Sequence, residues 1–576
     1  MLLAFACTCT AWANDYEDAW QKIQKKDYTG AKANLQKALA NPKTALDAAF
    51  TLMLLDDYEG KTSEVPGLID ALLASPHKSA YAYPFWFQGA VLGSYGKKKT
   101  HQQRLLQQLL TDPSFHGSIR SAAHYVKGMH HVFSNDFEAA RTEWTRVGSL
   151  QNWQLVGPFE NLSGSGFNAD HKVVTQPGAD AVFTGINNIQ VKWFTPRRMN
   201  NEGWIFTYAH LPRRSATIYA QTFVYSPAAQ TCLVNTGGNG ALKVWVNDGL
   251  VFSEAKERIT ELDYYSAPCK LAQGWNRVLL QLSYTDTESP NFIVRLTNDQ
   301  FDALPDLKLS NSVQPYTPVT NAVKAAPTQH FAENFFEAQV AAQPANILNY
   351  VLLSRCYLRN QRTTEARMML EKAMSLSPGN SLLRVEFINC LYKAGNRTLV
   401  TQEIERLKEE DPESYLTYDL EVDRLMDEEK YTEADEHLKK MVAKYGNNEN
   451  TLEAQSKIYG KQEKIEELVK LANAGYKAYP ENTYFIAMRF AIRKLVDKDL
   501  KGAVRVFEDF LKNNYHSGIV NSLSEAYQEM GMQDRYLSLM KKLYEYAAHD
   551  ASYAHTLSSH YFLQREYKKA MEYTRE

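Results

Sequence analysis

The sequence predicts a multidomain chain of α and β type, in which α-solenoids of paired helices flank an antiparallel β-sandwich. Three observations carry this reading. Pro344, Pro378, Pro412 and Pro480 stand at 34-residue intervals or a multiple of them, with Gly446 at the skipped position. Between about residues 151 and 300 the pattern changes to short β-branched and aromatic runs with Gly and Asn-Gly punctuation. Before Leu150 it is helical again.

A 34-residue period is the length of a tetratricopeptide helix–turn–helix unit. One unit places Tyr350, Leu353, Ala366, Leu370, Ala373 and Pro378 at its marker positions. Phe387, Leu391, Leu407 and Pro412 follow one period on, and then Leu425, Ala434 and Leu438. Alanine at the crossing lets two helix backbones approach, and large apolar residues fill the layer between neighbours. The register continues through Tyr459, Leu468 and Ala472. After a slip of one residue it resumes at Ala503, Phe507 and Phe510. The predicted fold is therefore tetratricopeptide-type α-solenoids around an antiparallel β-sandwich.

In chain order, residues 1–13 read as a signal peptide. The stretch is apolar or small, and Ala11-Trp12-Ala13 is a small-x-small site. Its positive n-region is missing, so the true start lies upstream or the signal is weak; a buried N-terminal helix is the competing reading. Phe5 occupies the place where a lipobox before Cys7 wants a small residue. Residues 14–150 read as a tetratricopeptide-like helical domain. Ala31 and Ala140 stand at crossings, Gly128 at a small position, and 81–87 forms an aromatic seam.

Residues 151–300 hold the strands, at 217–225, 241–247, 277–284 and 292–296. The glycine-rich runs GSGF (164–167) and NTGGNG (235–240) read as turns, as does Asn247-Asp248-Gly249. Trp245, Asn247, Gly249, Leu271, Gly274 and Asn276 form a pattern that resembles galactose-binding-like jelly rolls of secreted bacterial proteins. The segment 154–167 is similar to the entry of that domain in large tetratricopeptide envelope proteins, notably of Bacteroidetes-type bacteria. That resemblance implies the sandwich and an exported location, periplasmic or in the cell envelope. In such proteins the chain often continues into a transglutaminase-like domain.

Residues 301–329, with Pro305, Pro315, Pro318 and Pro327, read as a linker strapped along the surface. Residues 330–576 read as the second array. It opens on a half-unit around Ala332 and Phe336, and the sequence stops inside a repeat helix that carries Ala570. The expectation is a fragment of a longer protein.

Composition excludes several classes. With 44% hydrophobic and 23% charged residues the chain has the balance of a folded protein, and a net charge of −2 gives no field favouring nucleic acid. No stretch approaches the ~20 apolar residues of a membrane helix. No C-x-x-C, H-E-x-x-H, G-x-S-x-G or phosphate loop stands in a suitable context, so no catalytic residue, metal or cofactor is assigned. His124, His130 and His131 read as packed histidines rather than ligands.

The expected activity is binding by a non-enzyme; the alternative is a targeting region of a longer transglutaminase-like or peptidase enzyme. Helix-A positions read from the register would line a groove for a polypeptide: Arg355 and Arg359, then Asn389 and Lys393, then Asp419, Asp423 and Asp427, then Lys457 and Lys461. An apolar patch of Met488, Ile492 and Leu495 follows, and ordinary solvated helix surface is the competing reading. Trp204, beside Asn200 and Asn201, reads as an exposed loop aromatic able to stack on a glycan. Trp245 and Trp275 read as core. Cys232 and Cys269 lie on two strand-like segments of one β-domain, so an oxidising compartment would let them pair.

Overall fold

The computed structural model describes residues 15–61, 67–85, 100–196, 202–208, 210–211, 214–287, 289–319, 328–546 and 551–574. The expected signal peptide, with Cys7 and Cys9, lies outside them. Residues 15–24 form α1, followed by α2 (Tyr28–Ala38), α3 (Ala45–Tyr58), α4 (Leu68–Ala74), α5 (Lys78–Ala82), α6 (Thr100–Thr111), α7 (Gly117–Phe133) and α8 (Phe137–Thr145). Among the described residues eleven strands come next: β1 (Gln154–Glu160), β2 (Val182–Thr184), β3 (Gln190–Lys192), β4 (Ile205–Phe206), β5 (Arg214–Ser226), β6 (Gln230–Val246), β7 (Gly249–Ile259), β8 (Tyr265–Leu271), β9 (Gly274–Asp286), β10 (Asn291–Thr297) and β11 (Lys308–Ser310). The array opens with α9 (Phe331–Ala342).

Among the described residues seven helix pairs then repeat. The A helices are α10 (Ile347–Arg359), α12 (Ser381–Lys393), α14 (Tyr415–Asp427), α16 (Glu449–Lys461), α18 (Thr483–Ala491), α20 (Ser517–Glu529) and α22 (Ala551–Leu563), each starting 34 residues after the last. The B helices are α11 (Thr363–Leu376), α13 (Arg397–Glu410), α15 (Tyr431–Tyr445), α17 (Ile465–Ala478), α19 (Leu500–Leu511), α21 (Gln533–Tyr546) and α23 (Tyr567–Thr574).

Local chemistry sets these boundaries. Asn346, Asn380, Ser414, Asn448 and Asn482 cap successive A helices, each side chain accepting a first-turn backbone N–H. Two residues before each cap stands the repeating proline, or Gly446. Between A and B helices the chain turns through one left-handed residue: Gln361, Gly395, Glu429, Glu463, Lys498, Gly531 or Arg565. The one-residue slip has a structural cause. After α18 the helix widens into a single π turn, Ile492–Val496, which houses the extra residue before α19. The crossing alanines Ala366, Ala434, Ala503 and Ala570 are all buried.

The contacts divide the chain into two compact units that do not follow the three sequence regions. One unit joins Met1–Gln108 to Phe331–Leu523. The other joins Leu109–His330 to Ser524–Glu576.

In the second unit a nine-stranded antiparallel sheet curls on itself, in the order β1-β5-β9-β6-β10-β4, with β7 and β8 also on β6. Its core runs from Trp153 through Ile218, Leu242, Leu280 and Phe292. The long strand β6 belongs to both faces. Residues 230–238 pair with β8 and β10, and residues 239–246 with β7 and β9. The run NTGGNG lies at this changeover and is strand, not the turn expected from its glycines. Backbones cross so closely there that a Cβ on Gly237 would overlap the Glu261 carbonyl oxygen. The turn at Asn247-Asp248 is real: φ is +50° and +67°, the type I′ geometry of a two-residue hairpin.

The expected linker is partly sheet. Its residues 308–310 form β11 on β5, Tyr316 Oη donates to Asp248, and Val319 N–H to the Asn247 carbonyl. Helix α7 packs on the sheet end through Ser118 Oγ to Asp263 (2.8 Å) and an Arg120–Asp302 ion pair. Gly128 of α7 sits under Trp144 of α8, where a Cβ would overlap the indole. Phe137 of α8 stacks on Tyr546 of α21 with centroids 3.8 Å apart.

Candidate polypeptide-binding face

The first unit decides how much of the expected groove is open. Successive A helices place Arg355, Asn389, Asp423 and Lys457 at one register position, and Arg359, Lys393, Asp427, Lys461 and Leu495 at another. The chain's own N-terminal helices cover the start of this face.

Arg355 of α10 is mostly buried and forms a bidentate pair with Glu386 of α12, at 2.9 and 2.6 Å. Asp57 of α3 lies 4.0 Å from the same guanidinium. Burial pushes the Asp57 carboxyl up to about 6; Glu386 and Asp56 add to this and Arg355 opposes it. The Arg359 guanidinium lies over the Tyr83 ring, 4.9 Å from its centroid. These two arginines are occupied within the chain, a result that the helical register alone does not foresee.

The covering helices are held at several points. Asn360 Nδ2 donates to Tyr83 Oη (2.8 Å) and Asn346 Nδ2 to Asp47 (3.1 Å). Tyr81 packs edge-on against Phe336 of α9, so part of the expected aromatic seam is buried; Trp86 and Phe87 lie outside the described residues. Gly60 sits against the Tyr415 ring so tightly that a Cβ would overlap it, and its carbonyl accepts from Asn448 (3.1 Å). Tyr28 and Tyr58 both donate to Asp411, at 2.7 and 2.6 Å.

From α12 onward the face opens. Asn389 and Lys393 are exposed, and so are Asp423, Asp427, Lys457 and Lys461; Asp419 is half-buried. Burial raises the Asp419 pKa, with Asp423 adding to it. Among the described residues Asp423, Asp427, Lys457 and Lys461 make no ion pair and no side-chain hydrogen bond. Met488 and Ile492 are half-buried, whereas Leu495 and Val496, in the π turn, are 70% and 50% exposed. The face runs acidic, basic and then apolar.

The residues missed at the sequence level are those of the cover outside the aromatic seam: Asp47, Asp57 and Gly60. The one local signal is the acidic end of α3, of which Asp57 lies 4.0 Å from Arg355 while Asp56 and Glu59 pair with Lys32.

Trp204 is not an exposed loop aromatic. It is half-buried and packs against the cluster of Val147, Leu262 and Ile293, which Tyr125 of α7 also joins. Trp245 is buried beside Tyr219 and Leu279, and Trp275 stands edge-on to Tyr225. His124 Nδ1 lies 2.8 Å from Glu143, and no cluster of three metal-ligating groups occurs among the described residues. No described helix is long and apolar enough to cross a membrane.

No protein-family profile matches the sequence, and neither does any curated protein. Stretches of the chain match solved structures at low identity. A tetratricopeptide repeat protein from Parabacteroides merdae is 16% identical, with a TM-score of 0.29 over 37% of this chain and 85% of that one. PilF of Pseudomonas aeruginosa is 13% identical, with a TM-score of 0.30 over 38% and 99%. The tetratricopeptide domain of P58(IPK) is 16% identical, with a TM-score of 0.21 over 35% and 61%. These likenesses are too distant to carry an argument about function. The tetratricopeptide character rests on the helix pairs, their caps and their 34-residue spacing.

Proposed function

We propose that the chain is a non-catalytic, exported scaffold that holds a polypeptide on the uncovered A-helix positions of α14, α16 and α18. The observation that supports this best is the contrast along one register. The first cations are spent on the chain's own residues, whereas Asp423, Asp427, Lys457 and Lys461 stand exposed with no ion pair or side-chain hydrogen bond among the described residues. The partner carries bases opposite the two aspartates, acids opposite the two lysines, and an apolar side chain for Leu495 and Val496. Exposed ion pairs give only about 0.2–1 kcal/mol each, so the charges set direction while the apolar anchor supplies affinity. The sandwich, read as galactose-binding-like from its Trp245–Asn276 pattern, is a rigid companion. Residues 1–13, read as a signal peptide, support an exported location in the periplasm or cell envelope.

The test uses two synthetic peptides that differ only in the order of a Lys/Arg block and an Asp/Glu block about a central Leu. Titrated into the full chain, one order binds about tenfold more tightly. Combined Asp423→Lys, Asp427→Lys, Lys457→Glu and Lys461→Glu substitutions reverse the preference. If neither peptide binds, or the preference survives the reversal, the reading fails.

A further inference from the structure

Cys232 and Cys269 are placed for chemistry that the scaffold reading does not use. They are direct partners in the antiparallel pairing of β6 and β8. Both are buried, and their Sγ atoms lie 3.2 Å apart. Directly opposed residues of antiparallel strands have Cα atoms roughly 4.5–5.5 Å apart, inside the range of about 4.4–6.8 Å that a disulfide spans. Bond formation needs the sulfurs to close to ~2.05 Å, a movement small enough for side-chain rotation with the strands in place. The other two described cysteines differ. Cys356 and Cys390 sit one repeat apart on α10 and α12, and the Cys390 thiol faces the Thr363 carbonyl at 3.8 Å.

We propose that Cys232 and Cys269 form a cross-strand disulfide that staples β8 to β6. Among the described residues β8 pairs with the strand β6 alone, and on its other side one backbone hydrogen bond reaches it, from Thr328. The bond would turn this lightly held edge into a covalent part of the sheet. The oxidant is a small organic disulfide such as oxidised glutathione. One cysteine thiolate attacks it, releasing one glutathione thiol and leaving a mixed disulfide. The second thiolate then displaces the other glutathione. Two protons and two electrons leave the protein, and one disulfide is reduced to two thiols. Because both thiols are buried in the folded sheet, the exchange belongs to folding.

The experiment refolds the full chain from denaturant in reduced and oxidised glutathione. Remaining thiols are then alkylated under denaturing conditions, and the peptides are mapped by mass spectrometry. The expected result is one reductant-sensitive cross-linked peptide pair containing Cys232 and Cys269, about 2 Da lighter than the two reduced peptides together, with Cys356 and Cys390 alkylated. A Cys232→Ser, Cys269→Ser variant should lose that species and no other. Full alkylation of Cys232 and Cys269 after oxidative refolding would overturn the proposal, as would their pairing with other cysteines. Should the variant not fold, the wild-type map decides alone.

Discussion

Asp411 joins the N-terminal helices to the repeat array, and its removal should unfasten them. The residue ends α13 just before Pro412 and is buried. Its carboxylate accepts from Tyr58 at 2.6 Å and Tyr28 at 2.7 Å, and the two rings tilt together with centroids 5.1 Å apart. Burial raises both tyrosine pKa values far above the usual range, and the Asp411 charge adds to it, so both remain donors. Hydrogen bonds to charged acceptors contribute about 1.5–3 kcal/mol each, and a buried donor left unsatisfied costs a similar amount. Tyr58 is buried and keeps Tyr28 Oη, at 3.2 Å, as its second partner, and half-buried Tyr28 can turn to solvent. Asp411→Ala should therefore cost about 2–4 kcal/mol.

The loss should be local, because the backbone groups of Asp411 still serve Leu407, Ser414 and Thr417. Hydrogen exchange read by mass spectrometry should show α2 and α3 losing protection by roughly 30- to 800-fold, at about 1.4 kcal/mol per decade. The exchange of α10–α13 should change little. Asp411→Asn, which keeps an acceptor and loses the charge, should cost less than half as much. A cycle with Tyr58→Phe should reveal a coupling of at least about 1 kcal/mol. Unchanged exchange in α2 and α3, or a coupling of zero, would refute the junction.

Two further outcomes follow from single sites. Ala434→Phe places a ring in the α14–α15 crossing, where Ala434 is fully buried with Val422 and Leu438, and should cost about 1–3 kcal/mol in urea unfolding; a neutral result would break the register. His116 caps α7 by accepting the Ser118 N–H at Nδ1, and burial, with Arg295 and Arg120 adding, pushes its pKa down to about 4. The unfolded chain takes up that proton near 6.5, so stability should fall as pH drops from about 6.5 to 4, by up to about 3 kcal/mol. His116→Gln should flatten this dependence, and an unchanged pH profile of thermal unfolding would contradict it.

Much of the repeat was legible because its determinants are local. A cap, a left-handed turn residue, a crossing alanine and a proline recur at a fixed distance, and each acts within its own helix pair. The slip before Ala503 was visible for the same reason, although its form as a π turn was not. The strands were legible from β-branched runs, but NTGGNG misled. Glycine serves tight turns and close strand crossings alike, and only the partner strand tells them apart. Trp204 misled in a similar way: polar neighbours in sequence do not reveal Val147, Leu262 and Ile293 arriving from elsewhere in the chain.

The sequence by itself determined the helix pairs, their spacing, the change to β-structure after Leu150 and the order of charges on the A helices. Tertiary structure alone decided which of those charges face a partner. Arg355 and Arg359 read from sequence as groove cations, yet Glu386, Asp57 and Tyr83 occupy them. Tertiary structure likewise set Cys232 directly opposite Cys269, a register fixed by the pairing of β6 with β8. The physical reason is the same in each case. Caps and periodicity are set by neighbours a few residues away, whereas exposure and pairing depend on segments up to several hundred residues distant, whose approach no local pattern encodes.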